Sequence, residues 1–193
     1  MAEARKKDGC KKCMVAFFDE ERREFGVPEA VPGLEQVDYQ YTYVEGSNYA
    51  DNVQNIYVRK PTGANITLTF TDVQSKLGAK LLGKQNKKGG TTTNVKDKPP
   101  RVAVLFQETY SDGNYENKVF YNVKFSMDES SVKTAGENID FTPKTIVGKA
   151  IPFFNDTIDG DIDFTMDSGD PEVDQTKLQK FFEKVRFLEE EVS

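Results

Sequence analysis

The chain has 193 residues, 30% of them charged and 37% hydrophobic, and a formal charge of −6. This predicts one soluble, rather polar domain, large enough for a core of its own. It has no histidine, which removes the usual general base, the usual nucleophile-activating partner and the commonest metal ligand, and so argues against an enzyme.

The opening stretch "MAEARKKDGCKKC" has a local charge of +3 and no apolar run behind it. It reads as a loose basic arm over residues 1–13 rather than a secretory leader, and no later apolar run approaches the roughly 18 residues that cross a membrane. "CMVAFF" (13–18) is a short first strand, "DEERREFG" a charged connector, and the two prolines of "VPEAVPG" favour extended chain. "LEQVDYQYTYV" (34–44) is a strand closed by "EGSN" as a turn. "YADNVQNIYVRK" (49–60) follows, with "PTGAN" as the next turn. In "NITLTFT" (65–71), Ile66, Leu68 and Phe70 alternate with threonines, the period of a strand with one buried face.

The period then changes. In "DVQSKLGAKLLG", Val73, Leu77 and Leu81 lie four apart, which predicts a helix over 72–83 with Asp72 at its start and Gly83 past its end. A long, mobile, basic loop occupies 84–100. A hairpin comes next, "RVAVLFQETY" and "NYENKVFYNVKFSM" around Asp112-Gly113, with Val119, Tyr121, Val123 and Phe125 on one side of its second strand. "DESSVKTAGEN" (128–138) is a polar loop, and "IDFTPKTIVGKAIPFF" (139–154) a strand near an edge, because of Pro143 and Pro152. Asp159-Gly160 turns the chain into "DIDFTMD", where Ile162, Phe164 and Met166 alternate with polar residues. A C-terminal helix over 171–187 has Asp170 as cap, Pro171 at its first position, and Leu178, Phe181 and Val185 on one face; "EEEVS" frays. The sum is a mainly β (α+β) domain over 14–193, a β-sandwich or partial barrel of about seven or eight strands with helical flanks.

Several motifs fall short of chemistry. "GAKLLGKQ" (78–85) has Walker spacing but ends in Gln85 and lies at the end of its helix, not before one. "NDTIDGDIDFTM" (155–166) imitates a calcium loop with Met166 where a bidentate glutamate is needed. Cys10 and Cys13 have CxxC spacing without a second pair to complete a zinc site, and read as two reduced thiols. No cofactor or metal is expected.

The basic loop carries Lys84, Lys87, Lys88, Lys96, Lys98 and Arg101 against Asp97, a net +5, with no aromatic residue among them. Residues 151–193 carry a net −8. A nucleic-acid surface would interleave aromatics with cations in a basic domain. Opposite zones on one chain instead predict docking between copies, with these six cations as inter-subunit contacts.

"YADN" (49–52), "ITLTFTDVQSKLGAKLLG" (66–83), "PRVAVLFQETYSDGNYENKVFYNVKF" (100–125), "IDFTPKTIVGKAIP" (139–152) and "DPEVDQTKLQKFFEKV" (170–185) stand in an order that resembles the major tail protein, or tail-tube protein, of long-tailed, non-contractile bacteriophages. The resemblance implies a β-sandwich or barrel subunit that self-assembles as stacked hexameric rings around a tape-measure protein. The tube would conduct DNA at ejection without binding it specifically, and would adjoin tail-terminator and distal tail proteins. It further implies a place in the virion, reached from the host cytoplasm during assembly. The other reading is a β-sandwich module for carbohydrate or cell-surface recognition, which Tyr39, Tyr41 and Tyr43 would favour if their rings lined an exposed groove.

Overall fold

The two central strands are apolar on both faces, and the architecture follows from covering each of them. A computed structural model describes residues 5–50, 53–126, 143–155 and 158–188. The polar loop expected at 128–138, the start of the strand expected at 139, and the fraying "EEEVS" lie outside them. Strands β1 (Lys7–Asp19), β2 (Glu24–Phe25), β3 (Glu29–Ala30), β4 (Leu34–Ala50) and β5 (Val53–Phe70) precede helix α1 (Ser75–Leu81). After α1 come β6 (Gln85–Lys87), β7 (Gly90–Thr92), β8 (Val102–Tyr110), β9 (Tyr115–Ser126), β10 (Lys144–Ala150), β11 (Phe153–Phe154), β12 (Asp159–Asp161) and β13 (Asp163–Asp167). Helix α2 (Gln175–Gln179) and a 3-10 turn at Phe181–Glu183 end the chain.

One antiparallel sheet runs in the order β2-β1-β8-β9-β10-β5-β4, with β13 added to β9 and β3 to β1. The sheet rolls so that β4 returns to β1: Cys10 Sγ lies 3.6 Å from the Glu35 carbonyl, and Lys7 Nζ donates to the Tyr39 hydroxyl at 3.1 Å. The result is the β-sandwich-like, partly closed barrel that the sequence predicts. Inside lie Val15, Ile66, Leu68, Phe70, Val104, Phe106, Phe120 and Phe125. α1 closes this core with Val73, Leu81 and Leu82. A second core sits outside β1, β8 and β9, where Ala103, Leu105, Val119 and Tyr121 meet Phe153, Ile158, Phe181 and Val185. The C-terminal segment is pinned over it: Asn117 Nδ2 donates to the Leu178 carbonyl at 3.2 Å and the Tyr121 hydroxyl to that of Arg186 at 2.6 Å.

Strand β9 serves both cores, and a bulge lets it change sides. Between the pairs Val102↔Val123 and Val104↔Phe120 it has one residue more than β8, and Asn122 has φ 41°. Val119 and Tyr121 therefore face the outer core while Val123 and Phe125 face the barrel interior. This corrects the expectation that all four share a side, since an inserted residue inverts the alternation beyond it. The same bulge divides the partners of β9: its first half pairs with β13 and its last residues with β10.

Other expectations shift for local reasons. Lys7–Cys13, read as part of a loose arm, is the first half of β1 and pairs with β8 from Lys7 onward; Arg5 is held by Asp167 at 2.6 Å and Asp112 at 3.4 Å. Asp72 accepts the Val73 N–H rather than capping the helix, and the residue at the start of α1 is Gln74, without a side-chain cap. Gly83 does end that helix in left-handed backbone (φ 66°), where a Cβ would collide with the Lys98 carbonyl. The helix expected over 171–187 is only Gln175–Gln179, followed by a 3-10 turn, and it starts late because two aspartates compete for its first amides. Asp170 accepts from Glu172 N, and Asp174, the actual cap, accepts from Thr176 N and Lys177 N. Leu178, Phe181 and Val185 are nonetheless buried, as their spacing predicts. Asp159-Gly160 lies within β12 rather than in a turn; the ribbon closes from Asn155 to Ile158, joined by Asn155 N to the Ile158 carbonyl at 3.0 Å.

Valine at position 122 costs about 1–2 kcal/mol in left-handed backbone and deletes the bond from Asn122 Nδ2 to the Pro152 carbonyl. Asn122→Val is therefore expected to lower stability more than Asn122→Gly, and urea unfolding of both variants measures the order. Equal losses would show that the bulge conformation is not what position 122 supplies.

Candidate assembly surface

The most prominent surface feature is a two-stranded arm. β4 and β5 pair continuously from Leu34↔Phe70 to Ala50↔Val53, but β10 covers β5 only from Ala64 to Phe70. Beyond Ala64 the hairpin has β4 and β5 alone, so among the described residues both outer edges lack a strand partner. The sequence reading broke this arm at "EGSN" and "PTGAN". The structure instead runs β4 through Asn48 and β5 through Pro61. Pro61 is tolerated because β5 has only one partner there and the missing N–H breaks no second ladder. A register shift between Thr42 and Tyr43 absorbs the extra residue Thr62, bridged by the Thr42 and Thr62 hydroxyls at 3.1 Å, and a second lies further out between Asn48 and Tyr49.

One face of the arm satisfies itself. Arg59 lies 3.8 Å over the Tyr43 ring and pairs with Glu45 at 3.1 Å. Glu45 also accepts from the Tyr57 hydroxyl, a bond that raises the Tyr57 pKa. The other face presents Val44 and Val58 to solvent, 56% and 45% exposed. An isolated hairpin of this kind is marginal in water. Uncovered valines and open ladder edges are what a partner chain completes.

At the base of the arm the tyrosine row enters the barrel. Tyr39 packs on Phe106 and Phe120, and Tyr41 on Tyr39 and Phe120, with ring centroids 5.3–6.2 Å apart. Tyr39 and Tyr41 spend much of their ring surface on this sheet packing, while Tyr43 is 42% exposed. Charged groups frame the row. Lys118, largely buried, lies 4.8 Å over the Tyr39 ring and 3.7 Å from Asp163 Oδ2, which also accepts the Tyr41 hydroxyl at 2.9 Å. Burial and the Asp163 charge push the Tyr41 pKa up. Burial opposes the charge on Lys7, yet hydrogen bonds to the buried Glu108 and to Tyr39 raise its pKa overall.

The basic segment is partly ordered by β6 and β7. They form a small ribbon turned by Lys88-Gly89, both with positive φ, the signature of a tight two-residue hairpin. Lys87 and Lys88 stand at its tip, Lys96 and Lys98 in the return, all exposed, and Lys84 at the root is half-buried. Arg101 differs from the others: it pairs with Glu20 at 3.3 Å and lies 5.9 Å over Phe18. Among the described residues the other five have no ion-pair partner, and Asp97 is engaged by the Asn94 N–H. The structure does not gather the six cations into one pocket. It distributes them along a ribbon, its return and the start of β8.

The Walker-like spacing does not open a helix. Gly78 lies inside α1, so "GAKLLGKQ" has no helix after it to hold a phosphate. Among the described residues no three Cys, Asp or Glu side chains are grouped to hold a metal. Cys10 and Cys13 lie on β1, Cys13 in the inner core at 3% exposure.

An antiparallel barrel with an arm beyond its own sheet, a basic ribbon and grouped aromatics defines a β-sandwich-like protein with a long projecting hairpin. The sequence matches the family described as phage tail tube protein over residues 33–184. No curated protein matches the chain. The match spans most of the sequence, so the chain belongs to the phage tail tube protein family, whose members are structural proteins of the virion tail.

Burial raises both thiol pKa values, that of Cys13 to about 12. Native protein at pH 8 is therefore expected to leave Cys13 unmodified by a disulfide-exchange reagent and to react slowly at Cys10. Denatured protein releases two equivalents. Two fast equivalents from native protein would contradict the burial of this strand.

Proposed function

We propose that this protein assembles into hexameric rings that stack into the tube of a siphophage tail, the conduit for DNA ejection. The observation that carries the reading is the β4–β5 arm, which leaves its own sheet with two edges open among the described residues and with Val44 and Val58 exposed. Family membership supplies the tube as its destination. Its partners are other copies of itself, the tape-measure protein inside, and the terminator and distal tail proteins at the ends. Subunits gather in the host cytoplasm before becoming part of the virion.

The charge pattern suits a conduit. DNA binds proteins by releasing counterions to clustered cations. A chain of net −6 offers little such gain if acids dominate the lumen, and DNA then passes without specific binding. Lys84, Lys87, Lys88, Lys96, Lys98 and Arg101 serve contacts between subunits, where complementary fields steer docking and exclude wrong registers.

Negative-stain electron microscopy of concentrated protein, alone and with other tail components, is expected to show six-fold rings or tubes. Deleting residues 86–97 should leave a folded monomer by circular dichroism and impair polymerisation. A wild-type chain that stays monomeric in every condition contradicts the tube reading. Normal tubes from the deletion variant would remove the ribbon from the assembly surface.

A further inference from the structure

A cleft of about 370 Å3 opens where the arm leaves the barrel. Tyr41, Tyr43 and Pro61 line one side of it, and Asp161 and Asp163 the other. Asp163 uses Oδ2 for both the Tyr41 hydroxyl and the Lys118 ammonium. Asp161 is exposed and, among the described residues, has no ion-pair partner. Two carboxylates beside phenol rings and a proline ring suit an alkylammonium group, which gains from the charge, from the π faces and from packing of its methylene stem.

The neighbouring tyrosines already show this chemistry completed. Tyr39 has Lys118 at 4.8 Å and Lys7 at 5.4 Å over its ring, paired with Asp163 and Glu108. Tyr43 has Arg59, paired with Glu45. Tyr41 stands between them with Asp161 nearby and no cation of its own among the described residues. The chain also has the missing element in surplus. Lys87 and Lys88 project from a tight hairpin tip without a described partner.

We infer that the Lys87-Lys88 tip of one copy docks in the Tyr41–Tyr43–Asp161–Asp163 cleft of another. The inference deepens the tube reading and takes from it the identity of the partner. The two surfaces are different patches of one chain, so the contact is head-to-tail. Such contacts propagate into rings or filaments and do not close as a simple two-fold dimer.

Charge exchange tests it on the full chain. Asp161→Lys and the pair Lys87→Glu, Lys88→Glu should each weaken self-association by about tenfold or more in sedimentation velocity, with circular dichroism unchanged. Combining all three substitutions should restore association. Association of the single-side variants equal to wild type, or no recovery in the combined variant, overturns the docking. Normal tubes from Asp161→Lys overturn it and leave the tube reading intact. Swap-sensitive association without rings or tubes upholds the docking and removes the tube reading. If the wild-type chain stays monomeric, a fluorescent peptide of residues 84–92 decides: binding lost in Asp161→Lys supports the cleft, and no binding overturns it.

Discussion

Everything in this fold depends on β9 being buried on both faces. A strand with one apolar face can lie on a single core, but β9 lies between the barrel interior and the outer layer made by the C-terminal segment. Straight alternation would commit each parity to one side along its whole length. The bulge at Asn122 exchanges the sides, so Val119 and Tyr121 serve the outer core before it and Val123 and Phe125 the inner core after it. It also frees the strand to take β13 along one half and β10 along the other. That division lets β10 bring β5 and β4 round toward β1 while β13 sets Asp163 at the base of the arm.

The arm is the consequence of that arrangement with most bearing on function. β5 is supported by β10 only up to Ala64, and the last residues of its contact are shaped by Gly63, where a Cβ would meet the Ala150 carbonyl. Beyond this point the hairpin holds its backbone with half of its hydrogen-bonding groups turned outward. Natural proteins usually protect such edges. Here charge blunts one face through Arg59 and Glu45, and the other exposes Val44 and Val58 beside Lys60. Such a surface suits a subunit of a family that assembles into a tube.

Much of this was legible in the sequence, and the misses have physical causes. The alternation of Ile66, Leu68 and Phe70 locates a half-buried strand, and Leu178, Phe181 and Val185 mark a buried face even though the helix there is short. Strong turn residues misled. "EGSN" and "PTGAN" read as reversals because Gly, Asn and Pro usually end strands, yet in a hairpin with open edges Pro61 breaks no second ladder. The Asn122 bulge left only a weak trace, an asparagine within an apolar run, and its effect on alternation appears only with β8 alongside. Cys10 and Cys13 looked like part of an arm because charge surrounds them; pairing with β8 and Arg5's grip on Asp167 hold that segment down. The six cations were legible as a charged zone. Their distribution along a ribbon and the start of β8 was not, since β6 and β7 carry no apolar pattern. The cleft at Tyr41 and Asp161 joins residues 120 positions apart, which no spacing rule reports.

The central claim is that the arm's open edges are completed by other copies. Hydrogen exchange of residues 43–61, followed by mass spectrometry in monomeric and assembled protein, tests it most directly. The account predicts that outward-facing amides of the arm exchange rapidly in the monomer and become strongly protected on assembly, while β8 and β9 are protected in both. Equal exchange of the arm in the two states would contradict it.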